Sequence, residues 1–319
     1  AAARLRRLDE QAEIVVFERS GFVSYANCGL PYYIGDVITA PEELTLQTPE
    51  SFFARFRVNM KVRHEVKAIH PDRKTVSVKN LETGEEFEES YDKLILSPGA
   101  KPAQPRLPGV GLENLFTLRT VEDTFRIKDH INKHNPKSVV LAGGGFIGLE
   151  LAENLRELSM DVTIVQRPKQ LMNPFDADMA SFIHAEARKH GVKLALGYTV
   201  EGFEEKDGGV DVLLKDSAPL HADMVVLAIG ITPDTALAKE AGDQGQYCGQ
   251  RPDGDICAGH LCRGRCGTGE ALCHRRGYPD LPGRSRQQAG AHRGGQHLRR
   301  RQPVSRLPGQ LRHQGIRYD

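Results

Sequence analysis

Cys28 lies in the run Ser24-Tyr25-Ala26-Asn27-Cys28-Gly29-Leu30-Pro31-Tyr32-Tyr33-Ile34-Gly35 and is the only cysteine before residue 243. A lone cysteine is usually a buried apolar filler. Here the flanking Asn27 and Gly29-Leu30-Pro31, and a position just after an acidic-ended strand, favour a reactive thiol at the start of a helix. Such a thiol works as the thiolate, which backbone N–H groups and the helix dipole stabilise. No second cysteine stands in this part of the chain to close an internal disulfide. Its oxidised form must then be a mixed disulfide with a small thiol or a sulfenic acid.

A second run, Gly143-Gly144-Gly145-Phe146-Ile147-Gly148-Leu149-Glu150, fits G-x-G-x-x-G between an apolar strand and a helix. In that context Gly143 permits the turn, Gly145 lets the backbone approach a pyrophosphate and Gly148 lets the helix pack on the strand. Glycines alone would mark an ordinary tight turn; strand and helix together point to a nicotinamide dinucleotide. The following strand ends in Gln166-Arg167, where an NAD site usually offers an acid to the ribose. The neutral Gln166 beside Arg167 leans toward a tolerated 2′-phosphate, and a solvated surface Arg167 explains it equally well. Both nicotinamides stay open.

Periodicity supplies the elements that must hold these runs. Ala1–Glu10 reads as the end of an amphipathic helix and Glu13–Glu18 as a buried strand, whose terminal acid is placed like a ribose-binding carboxylate. The preceding strand and its glycine turn are expected before Ala1; with no Met at the start, the chain reads as a fragment. Strands are expected at Thr75–Val78 and Tyr91–Leu96, and a proline-rich linker from Pro102 to Pro108. A helix over Thr120–His134 carries Thr120 and Asp123 at capping positions. Ser138–Ala142, Phe146–Leu158 and Val162–Val165 then form a β-α-β unit, and Met224–Ile229 another buried strand. The fold class is α/β: tandem Rossmann-like dinucleotide-binding domains, three-layered, followed by a mostly irregular tail. The expected boundaries are residues 1–108 for the first domain, 109–229 for the second and 230–242 for the return to the first, with 243–319 as the tail.

Composition breaks at that tail. Residues 243–319 hold 14 Arg, no Lys and 6 acids, whereas 1–242 hold 29 Lys+Arg and 36 acids. Apolar content is too low there to offset ordering entropy. Cys257, Cys262, Cys266, Cys273, His260 and His274 cluster, but no C-x-x-C pair occurs, so a zinc module is disfavoured. Aromatic interleaving for nucleic acid is sparse, with only Tyr247, Tyr278 and Tyr318 among the 14 arginines. Back-translation points to a reading-frame break near Gly242–Asp243. Shifted by one base, Gly309–Asp319 can read GSSVIKVFDM and Asp255–Cys266 can read YAPDIYAVGDA, ordered and free of stops. No metal, nucleic-acid or membrane role is expected: no apolar run reaches the roughly 18 residues of a membrane helix, and no signal-peptide core is present. The lone Cys28 argues against a disulfide framework, and the expected location is cytoplasmic.

The Cys28 run, together with Glu18, resembles the active-site segment of the coenzyme A-disulfide reductases, within the pyridine nucleotide–disulfide oxidoreductase family. The resemblance covers residues 1–242 and continues through the tail in the shifted frame. It implies FAD in the first domain and NAD(P)H in the second, with Cys28 as the catalytic thiol held oxidised as a mixed disulfide with coenzyme A. By the same resemblance Glu18 binds the adenosine ribose, Arg19 lies near the adenine, and Val66, in His64-Glu65-Val66, meets it by backbone. Ser97, Gly99, Arg119 and Gly230 border the flavin. Gly143, Gly145, Gly148, Glu150 and Gln166 serve the nicotinamide dinucleotide. Arg7, Ser24, Asn27 and Lys61 are the implied substrate contacts, the cations suiting coenzyme A phosphates. Residues reading VGDA in the shifted frame match the family's second flavin motif. The intact family member is expected to be a homodimer.

The expected function is FAD-dependent NAD(P)H:disulfide reduction, with coenzyme A disulfide or a related small disulfide as partner. Rivals are an NADH oxidase or peroxidase cycling Cys28 through sulfenic acid, a persulfide or polysulfide reductase, and an inactive nucleotide-binding remnant.

Overall fold

In the computed structural model, residues 1–242 are described; the expectations for 243–319, the frame break, the irregular tail and the Cys/His cluster, lie outside them. Short apolar strands punctuated by glycine build a five-stranded parallel sheet. Its order is Lys193–Leu196, Asp161–Gln166, Ser138–Ala142, Met224–Leu227, Leu115–Thr117. Four of the five residues of Ser138–Ala142 are buried, as a parallel strand covered on both faces requires.

Alternation along these strands sends side chains to two cores. Val139, Leu141, Val162, Ile164, Met224 and Val226 face the helices, meeting Ile127, Ile131, Leu151 and Leu155. Val140, Ala142, Val165, Val225 and Leu227 face the other way and meet Phe203, Val210 and Val212. Those last three belong to an antiparallel sheet of Val200–Lys206, Gly209–Leu214 and Leu220–Ala222. Helices, parallel sheet and antiparallel sheet make the expected three layers. Asp223 pins the start of the central strand, its Oδ2 accepting from Lys137 N (2.6 Å) and Ser138 N (2.8 Å).

In the N-terminal part, Val15–Glu18 pairs in parallel with Asn59–Val62. An antiparallel sheet of His64–His70, Thr75–Asn80 and Glu86–Ser90 lies beyond. Tyr91–Leu96, expected as a strand, is irregular. Its Tyr91, Leu94 and Leu96 do pack on Ile69, Val76 and Val78, but no ladder partner for its backbone occurs among the described residues. The apolar run marks burial; pairing decides the strand. The antiparallel pair Ala100–Pro102 and Ile231–Pro233 links the chain's crossing points.

Helix Val121–His134 starts as its sequence predicts. Thr120 accepts from Asp123 N (3.2 Å), and Asp123 Oδ2 accepts from Thr120 N (3.0 Å), closing a reciprocal cap. No helix among the described residues is long and apolar enough to cross a membrane.

Candidate active site

Cys28 occupies the single turn Asn27–Gly29, which runs directly into helix Leu30–Ile34 with Pro31 in its first turn. The thiol is free and exposed, while Leu30 and Ile34 are sunk into the same core as Leu151 and Leu155 of helix Phe146–Glu157. Burying each such side chain contributes about 1.5–3 kcal/mol, so the reactive turn stands on a firm base. Three residues from elsewhere in the chain fix the segment. Asn27 Oδ1 accepts from Arg119 Nη1 (3.2 Å). Lys128 Nζ donates to Ile34 O (3.0 Å) and pairs with Asp36 (2.6 Å). Tyr33 meets Phe125 edge to face, centroids 5.5 Å apart.

The glycine run makes the expected turn. Gly143 has φ +121°, and a Cβ there would strike the Ala228 carbonyl; one on Gly148 would strike Gly143 O. Around Gly145, by contrast, nothing lies within 4 Å of a Cβ. Gly145 caps helix Phe146–Glu157 with no side-chain cap and no acid in its first turn. The N-terminal N–H groups thus face an open cradle, which fits a pyrophosphate. Gln166 Oε1 accepts from Gly144 N (2.9 Å), which brings the strand end to the turn.

The same helix carries acids that act on Tyr32 of the cysteine segment. Burial, then Glu153, raises the Glu150 carboxyl above its usual range. The Tyr32 phenol is raised by Glu153 first, then by burial, Glu150 and Cys28. Neither Tyr32, which stands in the Cys28 run, nor Glu153 is given a site role by the sequence, although each follows a chosen residue at helical spacing: Tyr32 four after Cys28, Glu153 three after Glu150. Lys128 gave no local signal at all, because its role depends on a carbonyl far away in the chain.

The residues implied for the flavin gather in part. Glu18 ends its strand and accepts from Ser20 N (2.8 Å). Arg19 lies 3.8 Å from Glu65, beside Val66. A bulge between Val66 and Ala68 interrupts that strand's pairing and frees backbone groups there. Gly99 O accepts from Asp234 N (3.0 Å) and Gly230 O from Ala103 N (2.9 Å), so the strand pair holds Gly99, which follows Ser97 closely in the chain, at one of its ends and Gly230 at the other. The cradle and the acid-ended strand fit two dinucleotides.

Substrate candidates are less gathered. Asn27 adjoins Cys28, and Ser24 faces Gln47 across a short strand pair. Lys61 is engaged by Glu89 (3.3 Å) and lies over the rings of Phe17 and Phe87. Arg7 is exposed on helix Ala2–Leu8. No hydrogen bond or ion pair among the described residues links either cation to Cys28.

Fold and site together define a dinucleotide-binding α/β protein with an exposed thiol on the element next to its glycine turn. The chain belongs to the pyridine nucleotide-disulphide oxidoreductase family, whose model matches residues 1–250. It is 36% identical over 242 residues to the coenzyme A disulfide reductase of Staphylococcus aureus, covering 75% of this chain and 53% of that protein. The crystal structure of reduced Bacillus anthracis CoADR-RHD matches with TM-score 0.72 and 47% identity, over 76% of this chain and 43% of the other. The water-forming NADH oxidase from Lactobacillus brevis bound to NADH matches with TM-score 0.69 and 33% identity, over 74% and 52% of the two chains. The chain thus spans about half the length of the curated relatives it matches. The family expected from the Cys28 and glycine runs is borne out.

Proposed function

We propose that the intact protein is an FAD-dependent NAD(P)H:disulfide oxidoreductase that reduces coenzyme A disulfide, or a related small disulfide, through Cys28. One observation carries the proposal: a free, exposed thiol opens a helix packed against the helix that follows the dinucleotide turn. When bound, flavin and nicotinamide supply the pair of electrons. Glu18, Arg19, Val66, Ser97, Gly99, Arg119 and Gly230 are assigned to FAD, and Gly143, Gly145, Gly148, Glu150 and Gln166 to NAD(P)H. Gln166 offers no carboxylate to a ribose hydroxyl, and its carbonyl is held by Gly144, so neither nicotinamide is preferred.

The Cys28 thiolate attacks one sulfur of the disulfide and the S–S bond breaks. One thiolate leaves and takes a proton, while Cys28 remains as a mixed disulfide. Two electrons and one proton then release the second thiol and restore the Cys28 thiolate. Asn27 and Ser24 would border the disulfide, with Arg7 and Lys61 for phosphates; Lys61 reaches one only by leaving Glu89. A homodimer in the cytoplasm completes this reading, the lone cysteine of residues 1–242 suiting a reducing compartment.

In a full-length, frame-corrected protein, Cys28→Ser is expected to abolish turnover of coenzyme A disulfide while leaving nicotinamide binding intact. Unchanged turnover would overturn the proposal. The likeness to a water-forming NADH oxidase favours a second reading, in which Cys28 cycles through sulfenic acid. An enzyme that consumes oxygen or peroxide yet ignores coenzyme A disulfide would establish it.

A further inference from the structure

Arg119 reaches Asn27 from outside the cysteine segment. Its backbone is held first: Asp123 Oδ2 accepts from Arg119 N (3.0 Å) and Thr120 N (3.0 Å), so the helix cap fixes the residue. Its Nη1 then donates to Asn27 Oδ1 (3.2 Å). A guanidinium has donors and no acceptor, whereas a carboxamide has one face of each kind. Facing Arg119, Asn27 can offer only its oxygen. Its NH2 group must turn the other way, and no acceptor for it occurs among the described residues. Asn27 and Cys28 are both exposed neighbours in one tight turn.

We infer that Arg119 is a positioning residue that locks the Asn27 carboxamide with its N–H groups turned out beside Cys28, where they donate to a sulfur anion. The inference rests on reading Cys28 as the redox thiol. In the exchange Cys28–S⁻ + R–S–S–R → Cys28–S–S–R + R–S⁻, negative charge moves from one sulfur to another and no electrons are gained or lost overall. A fixed donor beside both sulfurs stabilises that charge without reorganising. Asn27 alone, free to flip, would present its acceptor half of the time.

The test is Cys28 exchange with coenzyme A disulfide in the full chain, followed by peptide mass spectrometry so that the other cysteines do not interfere. Exchange needs no turnover, so it reads this inference separately from the Cys28→Ser experiment. Arg119→Glu, an acceptor, is expected to turn Asn27 around and slow exchange at neutral pH about tenfold, the weight of one hydrogen bond to an anion. Arg119→Lys keeps a donor and is expected to stay within about threefold of wild type. Asn27→Leu is expected to match the Arg119→Glu loss, and the double variant to be no slower than Asn27→Leu alone. If the two losses multiply, or Arg119→Lys is as slow as Arg119→Glu, the inference is wrong.

Discussion

Asp211 is only 5% exposed, in the middle strand of the small antiparallel sheet. Its carboxylate accepts from Lys206 Nζ (3.0 Å) and pairs with His221 Nδ1 (2.7 Å). The hydrogen bond from Lys206, then that from His221, lowers the Asp211 pKa, while Asp211 raises that of Lys206. The signs follow from linkage. Stabilisation from Asp211 is complete above its unfolded value of about 3.9 and is lost as pH falls through the lower folded value. Stabilisation from Lys206 is complete below about 10.4 and is lost as pH rises through its raised folded value. Asp211→Asn should therefore lower the melting temperature at neutral pH and flatten its fall below about pH 4. Thermal melts across that range check this; a variant that keeps the wild-type acid slope counts against the pair.

For elements, the glycine turn gives the sharpest expectation. Gly148→Ala places a methyl on the Gly143 carbonyl, so helix Phe146–Glu157 must shift off its strand. Nicotinamide affinity, read by fluorescence titration, should fall at least tenfold as the cradle around Gly145 distorts. Affinity equal to wild type would mean that the turn does not hold the dinucleotide. Thr120→Val removes one half of a reciprocal cap and should cost about 1 kcal/mol in denaturant unfolding. Both features were legible beforehand, because caps and glycine turns are local chemistry written at fixed offsets. The central strands were legible too, with ends shifted by a residue or two, since a buried parallel strand is an unbroken apolar run. Tyr91–Leu96 misled for the same reason: its apolar content is real, but strand pairing is non-local. Nor does any periodicity reveal that Lys128 caps Ile34 or that Glu153 acts on Tyr32, because those contacts join residues about a hundred positions apart.

On the scale of the whole molecule, a second chain can be compared with this one: the product of the alternative reading frame after Gly242. The chain as translated is expected to purify nearly free of flavin, and the frame-corrected one to carry it. Absorbance near 450 nm per polypeptide separates them, and stoichiometric flavin in the uncorrected chain would refute that expectation, though not the frame reading itself. Sequencing the codons for Gly242 and Asp243 tests it more directly. Within residues 1–242, the division expected at residue 108 is crossed by a shared core, in which Leu30, Ile34 and Leu44 pack with Phe116, Leu151 and Leu155. Gly35 marks how close that approach is: a methyl there would collide with the Asn154 carboxamide. This has a practical meaning for anyone recombining the protein with a relative. A crossover at the proline-rich linker would separate the cysteine segment from Asn154 and Lys128, leaving each to face a stranger's loop. Grafts that carry residues 22–47 along with 109–227 keep that joint intact, and the segment should be exchanged, diversified or inherited with the nucleotide unit it leans on.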